Sequence, residues 1–378
     1  MKMRITIVGA GPVGLLAACL LSQRYTITIL EKRTEPTRNH ALNISFDTIS
    51  AITSFLSNND NPAIRELCDL MTNWSNTPVS TNEIETSLSN IAEKLGVTIR
   101  RGVKINSLES IDDSIVIGAD GAHSKIRELV FNNEVCDEYN AEYMAQVKFE
   151  TPGATRPRLT LSAISYSFLN GLSGSDMVID FESLASPNDS FLKNGTLHIP
   201  IPQSVYNILS DNNRGNYVNP WTVDELSLIN NSQVAKLVRI IKRYNFSLRW
   251  RGGYLGDAKI TVIPLTIYRS CDVVKFTITN KLVILMGDSS SGLVFQRGLN
   301  KSWLEALKCA QILLNPDLNT LPEGLGEYAS YCISLYESEK NQVISKHNKI
   351  MSANRSTSTA GIVLTSGLGV LLTKMLSR

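Results

Sequence analysis

The sequence predicts an α/β fold, a doubly wound domain interrupted by an inserted mixed β-sheet domain and followed by a C-terminal helical extension. Three observations predict it. Residues 4–8 have strand composition and run straight into Gly9-Ala10-Gly11-Pro12-Val13-Gly14; an apolar run to Leu21 follows, and a second strand, 26–30, ends in Glu31. From about 141 to 270 the pattern changes to short alternating stretches. Residues 281–286 then form an apolar run of the buried parallel-strand type, closed by Gly287-Asp288.

Each piece of the first element has a physical job. The G-x-G-x-x-G stretch leaves a strand and opens a helix. Gly9 to Glu31 is about 20 residues, the spacing of a dinucleotide-binding βαβ unit. Gly9 permits the tight turn, Gly11 lets the backbone approach a pyrophosphate, and Gly14 lets the helix pack closely on the strands. The helix N-terminus offers unpaired N–H groups and a positive dipole end to phosphates. Glu31 can accept hydrogen bonds from ribose hydroxyls. A glycine turn without a ligand would not need the strand, the helix, the second strand and the acid together.

Further along, residues 46–80 read as helical and polar, with loop signals at 58–62. Ile84, Leu88, Ile91 and Leu95 share one helical face, and Gly96 stops that helix. A strand follows at 97–99, then the segments 103–108 and 114–117. An antiparallel sheet is expected from 143–149, 165–168, 177–181, 196–201 and 259–263. Thr222 and Glu225 form a capping box for a helix running to about 243. Its basic side, Lys236, Arg239, Lys242 and Arg243, reads as a solvated face, with a phosphate or membrane patch as the alternative. A last well-marked helix spans 299–314. The expected domains are a discontinuous nucleotide-binding domain over 1–45, 81–140 and 271–318, a substrate domain over 46–80 and 141–270, and a helical segment over 319–378.

Composition narrows the class. The chain has 378 residues, enough for a large core and two structural regions, and a net charge of +2, so no global basic field argues for nucleic acid. The six cysteines are scattered without C-x-x-C, which reads as reduced thiols in a cytoplasmic protein. No pair among the four histidines has metal-ligand spacing, so no metal is expected. The basic start followed by apolar residues mimics a secretion signal, but the glycine fingerprint inside it marks a buried first strand. No run reaches the roughly 20 apolar residues of a spanning helix. The tail, 360–372, is read as a helix that caps the fold, with an interfacial membrane anchor as the alternative.

Two further motifs narrow the reading. In the first, Asp120-Gly121 sits where a strand hands over to a helix, and Ser124 and Arg127 lie three apart on that helix. In the second, Gly287-Asp288 precedes Gly298-Leu299-Asn300, which opens the next helix. There Asp288 can accept a ribitol or ribose hydroxyl. The N–H groups of Gly298, Leu299 and Asn300 can stabilise an anionic ring edge.

In the order and spacing of these three motifs over residues 1 to about 315, the chain resembles the FAD-dependent aromatic hydroxylases, the group A flavoprotein monooxygenases of the para-hydroxybenzoate hydroxylase type. The resemblance implies FAD as cofactor, held by Gly9, Ala10, Gly11, Pro12, Val13 and Gly14, with Glu31 on the adenosine ribose. Lys32 closes the same strand. Arg33 and Arg38 would lie near the FAD pyrophosphate or an incoming nicotinamide nucleotide, and Asp120 would support both sites. Asp288 would bind the flavin side chain, and Gly298, Leu299 and Asn300 the isoalloxazine edge. Ala41 and Ile105 complete the cofactor-binding set. The implied reaction begins with reduction of FAD by NADPH or NADH. Oxygen then forms a C4a-hydroperoxide, which hydroxylates or epoxidises a small aromatic or hydrophobic substrate.

Two departures stand out. Ser289-Ser290-Ser291 occupies the place where the family shows Ala-Ala-His, and His40 stands where a second arginine is common. No catalytic base is named, because the substrate domain offers no pocket residues to align, and Tyr206, Tyr254 and Tyr268 read as core or rim. Two alternatives share the motifs: an FAD-dependent reductase or dehydrogenase, and a non-catalytic escort built on a flavoprotein fold.

Overall fold

The computed structural model describes residues 2–36, 41–75, 77–152, 180–186, 189–212, 237–238, 241–242, 259–293, 297–315, 317–342 and 344–345. It divides into two units, residues 1–139 with 266–342, and residues 140–265 with 343–378.

The first unit begins with β1 (Arg4–Val8), α1 (Pro12–Leu21) and β2 (Thr26–Glu31). Ile5 and Ile7 are fully buried, and so are Leu15, Leu16 and Leu20 of α1. This is the pattern of a parallel strand covered on both faces and a helix lying on it. Next come β3 (Ala41–Asn43), α2 (Phe46–Leu56), α3 (Pro62–Trp74), β4 (Pro78–Ser80) and α4 (Thr81–Lys94). Asn61 caps α3 through the Ala63 N–H, with proline at the first helical position, and Ser80 caps α4 through the Glu83 N–H. Gly96 ends α4 with a φ of 82°, as a C-terminal glycine does. Then β5 (Thr98–Arg101), β6 (Ile115–Gly118) and α5 (Lys125–Phe131) complete this half. Residues 103–107 are a loop, and a 3-10 turn over Leu108–Ser110 follows.

The chain leaves the first unit within β7 (Val135–Pro152). In the second unit β7 pairs antiparallel with β9 (Asp189–Ile201), and β8 (Asp180–Ser186) pairs antiparallel with β9. On α6 (Gln203–Asn212) the ring of Tyr206 stacks on Tyr143 of β7, centroids 4.4 Å apart. The chain returns within β10 (Lys259–Ser270), and the five-stranded sheet has the order β13-β10-β7-β9-β8, where β13 is Ser291–Gly292.

Back in the first unit, β11 (Val274–Phe276) and β12 (Leu282–Leu285) precede a 3-10 turn over Gly287–Ser289. Helix α7 (Arg297–Leu313) and a helix over 321–342, α8, follow. The main sheet runs β11-β12-β6-β1-β2-β5, with all pairs parallel except β11 on β12. The expected apolar strand at 281–286 is β12, and it lies parallel to β6.

Three sequence expectations change. Residues 46–80, assigned to the substrate domain, cluster with the first unit; α3 buries Ile64, Leu67, Met71 and Trp74, and Trp74 meets Trp303 of α7 with ring centroids 6.4 Å apart. The helix 321–342 also clusters with the first unit. The cysteines are not all reduced: Cys136 and Cys271 form a disulfide, because β7 begins where β10 ends and their Cα atoms come within 4.8 Å. Cys19, Cys68, Cys309 and Cys332 are free. The expected strand 165–168, the capping box at Thr222 and Glu225, Lys236, Arg239, Arg243, Tyr254, Arg38, His40 and the tail 360–372 lie outside the described residues. Among the described residues no helix is long and apolar enough to cross a membrane.

Candidate functional site

From β1 the chain turns through α1 to β2 on one side, while β6 flanks β1 on the other. The C-terminal ends of β1 and β6 are therefore the switch point of the sheet, where ligands of such folds bind. Val8 is level with Gly118, and the Ala119 N–H donates to Val8 O at 2.8 Å. Gly9 follows with a φ of 109°, and a Cβ there would fall 2.4 Å from Ala119 O. A Cβ on Gly14 would fall 2.1 Å from Gly9 O. Both positions thus require glycine. Gly11, the residue that caps α1, is different: a Cβ there meets nothing within 4 Å. The first turn of α1 therefore opens onto free space, as a pyrophosphate cradle must.

That space is a cavity of about 500 Å³, in the size range of small-ligand sites. Of the expected cofactor residues, Gly9, Gly11, Glu31, Lys32, Arg33, Ile105 and Asp120 line it. The loop 103–106, Ala119, Gly121 and His123 complete much of the wall; Lys104 adds a positive charge, and Lys125 is paired there with Glu128.

Glu31 ends β2 at the floor of this cavity and is 4 % exposed. One carboxylate oxygen accepts the Ala10 N–H at 2.8 Å; the other accepts the Arg33 N–H and Nε at 2.9 and 3.1 Å. Burial pushes its carboxyl up, but the N–H groups of Arg33 and Ala10 and the Arg33 guanidinium outweigh burial and hold it below the usual carboxylate value. The guanidinium of Arg33 also lies 3.9 Å from Glu85. Arg33 thus orients Glu31 rather than pointing freely at a phosphate. The oxygen that accepts only the Ala10 N–H retains acceptor capacity, so a ribose hydroxyl can still bind there.

Asp120 belongs to the second motif. Its carboxylate accepts the Ser124 hydroxyl at 2.5 Å and the Lys125 and Ile126 N–H groups at 2.6 and 3.3 Å. Burial nevertheless raises its carboxyl above the usual value. Ser124 caps α5 through the Arg127 N–H at 3.0 Å. Arg127 is buried, and its guanidinium joins the second motif to the third. It donates to Ala122 O at 2.7 Å and to Ser289 O at 3.1 Å, and Nε reaches the Asn133 side chain at 2.8 Å.

The third motif is built on α7. Gly287 adopts a φ of 67°, and its backbone comes against Val13 of the first motif. The Trp303 indole N–H donates to Pro12 O at 3.2 Å. A Cβ on Gly298 would lie 3.7 Å from Asp288 Oδ1, so the Asp288 carboxylate stands at the start of α7. Leu299 is 9 % exposed, and the Asn300 side chain is used internally: it accepts the Ser45 N–H at 2.9 Å and donates to Asn43 O at 3.0 Å. Ala41 pairs with Ser80 between β3 and β4.

The three serines that depart from the family pattern are buried and occupied. Ser289 Oγ reaches the carbonyls of Gly118 and Met286 at 2.5 and 2.6 Å, and Ser290 Oγ lies 3.0 Å from Glu305. Glu305 and Lys301 form a buried ion pair beneath this turn, a feature signalled in sequence only by their i, i+4 spacing. Among the described residues no cluster could hold a metal ion.

Residues 7–69 match the family model for an NAD(P)-binding Rossmann-like domain. No curated protein matches the chain. Solved structures do match across nearly its whole length. Tetracycline destructase Tet(51) is 15 % identical over 95 % of this chain and 98 % of its own, with a TM-score of 0.56. The anhydrotetracycline hydroxylase OxyS from Streptomyces rimosus is 15 % identical over 95 % of this chain and 75 % of its own, with a TM-score of 0.53. A variant of halogenase PltM in complex with FAD is 13 % identical over 95 % of this chain and 77 % of its own, with a TM-score of 0.55. The chain thus has the mixed α/β fold of these proteins, with a parallel Rossmann-like sheet.

Proposed function

We propose that this chain is an FAD-dependent monooxygenase that takes electrons from NADPH or NADH and uses O2 to hydroxylate or epoxidise a small aromatic or hydrophobic metabolite. The observation that carries the reading is the open first turn of α1 at Gly11, facing a cavity whose floor is the Glu31 carboxylate. A dinucleotide fits that donor set: N–H groups at the start of α1 for the pyrophosphate, Glu31 for the ribose hydroxyls, and Lys32 and Lys104 for the surrounding negative charge. Gly287-Asp288 and the start of α7 would hold the flavin portion.

Bound FAD supplies a two-electron store and the atom at which O2 is activated. The chain binds, orients and shields. Arg33 and the Ala10 N–H keep Glu31 ionised as a hydrogen-bond acceptor. Arg127 ties the Ala122 and Ser289 carbonyls together through one planar guanidinium, so the second and third motifs share an anchor. Overall, NAD(P)H, a proton, O2 and substrate would give NAD(P)+, water and the oxygenated product. The cytoplasmic setting expected from sequence is part of the proposal.

The test is reduction of the FAD-loaded protein by NADPH or NADH without oxygen, with and without candidate phenols, followed by admission of air. Flavin bleaching, then reoxidation with oxygen uptake and product formation, is expected. Bleaching coupled to substrate reduction without oxygen uptake would turn the reading to a reductase. A protein that takes up no FAD would turn it to an escort.

A further inference from the structure

Tyr268 lies in none of the three motifs, yet it touches two of them. Its hydroxyl donates to the Asp288 carbonyl at 2.6 Å, and the Ala122 carbonyl lies 3.3 Å away. The Arg127 guanidinium sits 5.0 Å over the centre of its ring and serves the same two turns. Tyr268 is paired with Gly292 between β10 and β13, and a Cβ on Gly292 would fall 2.3 Å from the ring. The ring therefore occupies a slot that only glycine leaves open. Burial, then the nearby Asp288 charge, push its hydroxyl up to about 12, so it stays a donor at any working pH.

We propose that Tyr268 is a positioning residue for the Asp288 carboxylate, setting it for the flavin side chain by holding the carbonyl of the same residue. The inference rests on the FAD reading above. A hydrogen bond at the Asp288 carbonyl holds the backbone of that residue, and with it the Cα–Cβ direction from which the carboxylate extends. Arg127, over the face of the ring, keeps the hydroxyl in place.

The experiment is an FAD titration of the full-length apoprotein as wild type, Tyr268→Phe, Asp288→Asn and the double variant, with an unfolding midpoint for each. Phenylalanine keeps the ring and loses only the hydroxyl. Tyr268→Phe is expected to weaken FAD binding about fivefold in the wild-type background. In the Asp288→Asn background the loss should shrink below about twofold, because the group being positioned is gone. Gly292→Ala, which displaces the ring but keeps the hydroxyl, should also weaken FAD binding. Equal losses in both backgrounds, or no loss in Tyr268→Phe or Gly292→Ala, would overturn the inference and leave the FAD reading intact. A wild-type protein that binds no FAD would overturn both.

Discussion

The carboxylate of Glu305 accepts the backbone N–H of Gly287 at 2.7 Å, while Lys301, one turn earlier on α7, closes on its other oxygen. Both side chains are buried, at 1 % and 0 % exposure for Lys301 and Glu305. The turn that presents Asp288 is therefore seated on a charge pair inside the fold. Such pairs cost desolvation and are weak stabilisers against apolar replacements, but breaking one strands the other charge.

Glu305→Ala is accordingly expected to lose about 3–5 kcal/mol of stability by denaturant unfolding. The double variant Lys301→Met with Glu305→Leu should recover most of that loss. It should still bind FAD more weakly than wild type, because the Gly287 N–H is no longer held. Recovery of stability and affinity together would mean the pair has no part in placing the turn.

Gly14→Ala should damage the fold itself. Its new Cβ would meet Gly9 O, a backbone atom that cannot step aside, and a cost on the order of 3 kcal/mol is expected. A thermal melt of the apoprotein checks this without reference to any ligand.

The pH dependence of stability should carry two opposing signs. Glu31 has a folded carboxyl held below its ordinary value of 4.5. Its contribution is full above that value and is lost as pH falls through the lowered one. Asp120 is raised above its ordinary value of 3.8, so the folded state holds a proton that the unfolded chain releases. Its contribution falls as pH rises through that window. Denaturant midpoints of wild type and Glu31→Gln from about pH 3 to about pH 7 should therefore differ at neutral pH and converge in acid. A gap that stays constant with pH would show that Glu31 acts through packing alone.

Thiol titration in denaturant should find four reactive thiols before reduction and six after it, since Cys136 and Cys271 are paired and the other four cysteines are free. Cys136→Ser paired with Cys271→Ser should cost about 2–5 kcal/mol, because the bridge closes a long loop. Six thiols without reductant would restore the reading of reduced cysteines.

The first βαβ element was legible because its constraints are local. The turn at Gly9, the contact of Gly14 on Gly9 O and the Glu31–Ala10 bond all arise within one short stretch. Strand β12 was legible for the same reason, as a buried parallel strand must be apolar throughout. What the sequence hid is long-range. Cys136 and Cys271 are 135 residues apart, and only the return of β10 beside the start of β7 brings them together. Tyr268 carries no motif, and its role comes from where β10 ends. The polar average of α3 masked the face of Ile64, Leu67, Met71 and Trp74 that binds it to the first unit. The Asn300 side chain ties α7 to the loop before α2, a contact with Ser45 that no local spacing announces.

The open first turn of α1 is proposed to receive the pyrophosphate of FAD, and the measurement to make is an FAD titration of wild type beside Gly11→Ala. Gly11 has an ordinary φ of −77° and free space around it, so alanine should leave stability within about 1 kcal/mol of wild type. The wild type should bind one FAD and turn yellow, and Gly11→Ala, equally well folded, should bind at least about tenfold more weakly because its methyl group enters the phosphate position. A wild type that takes up no FAD, or an alanine variant that binds it as tightly as wild type, would mean that this turn does not receive the pyrophosphate.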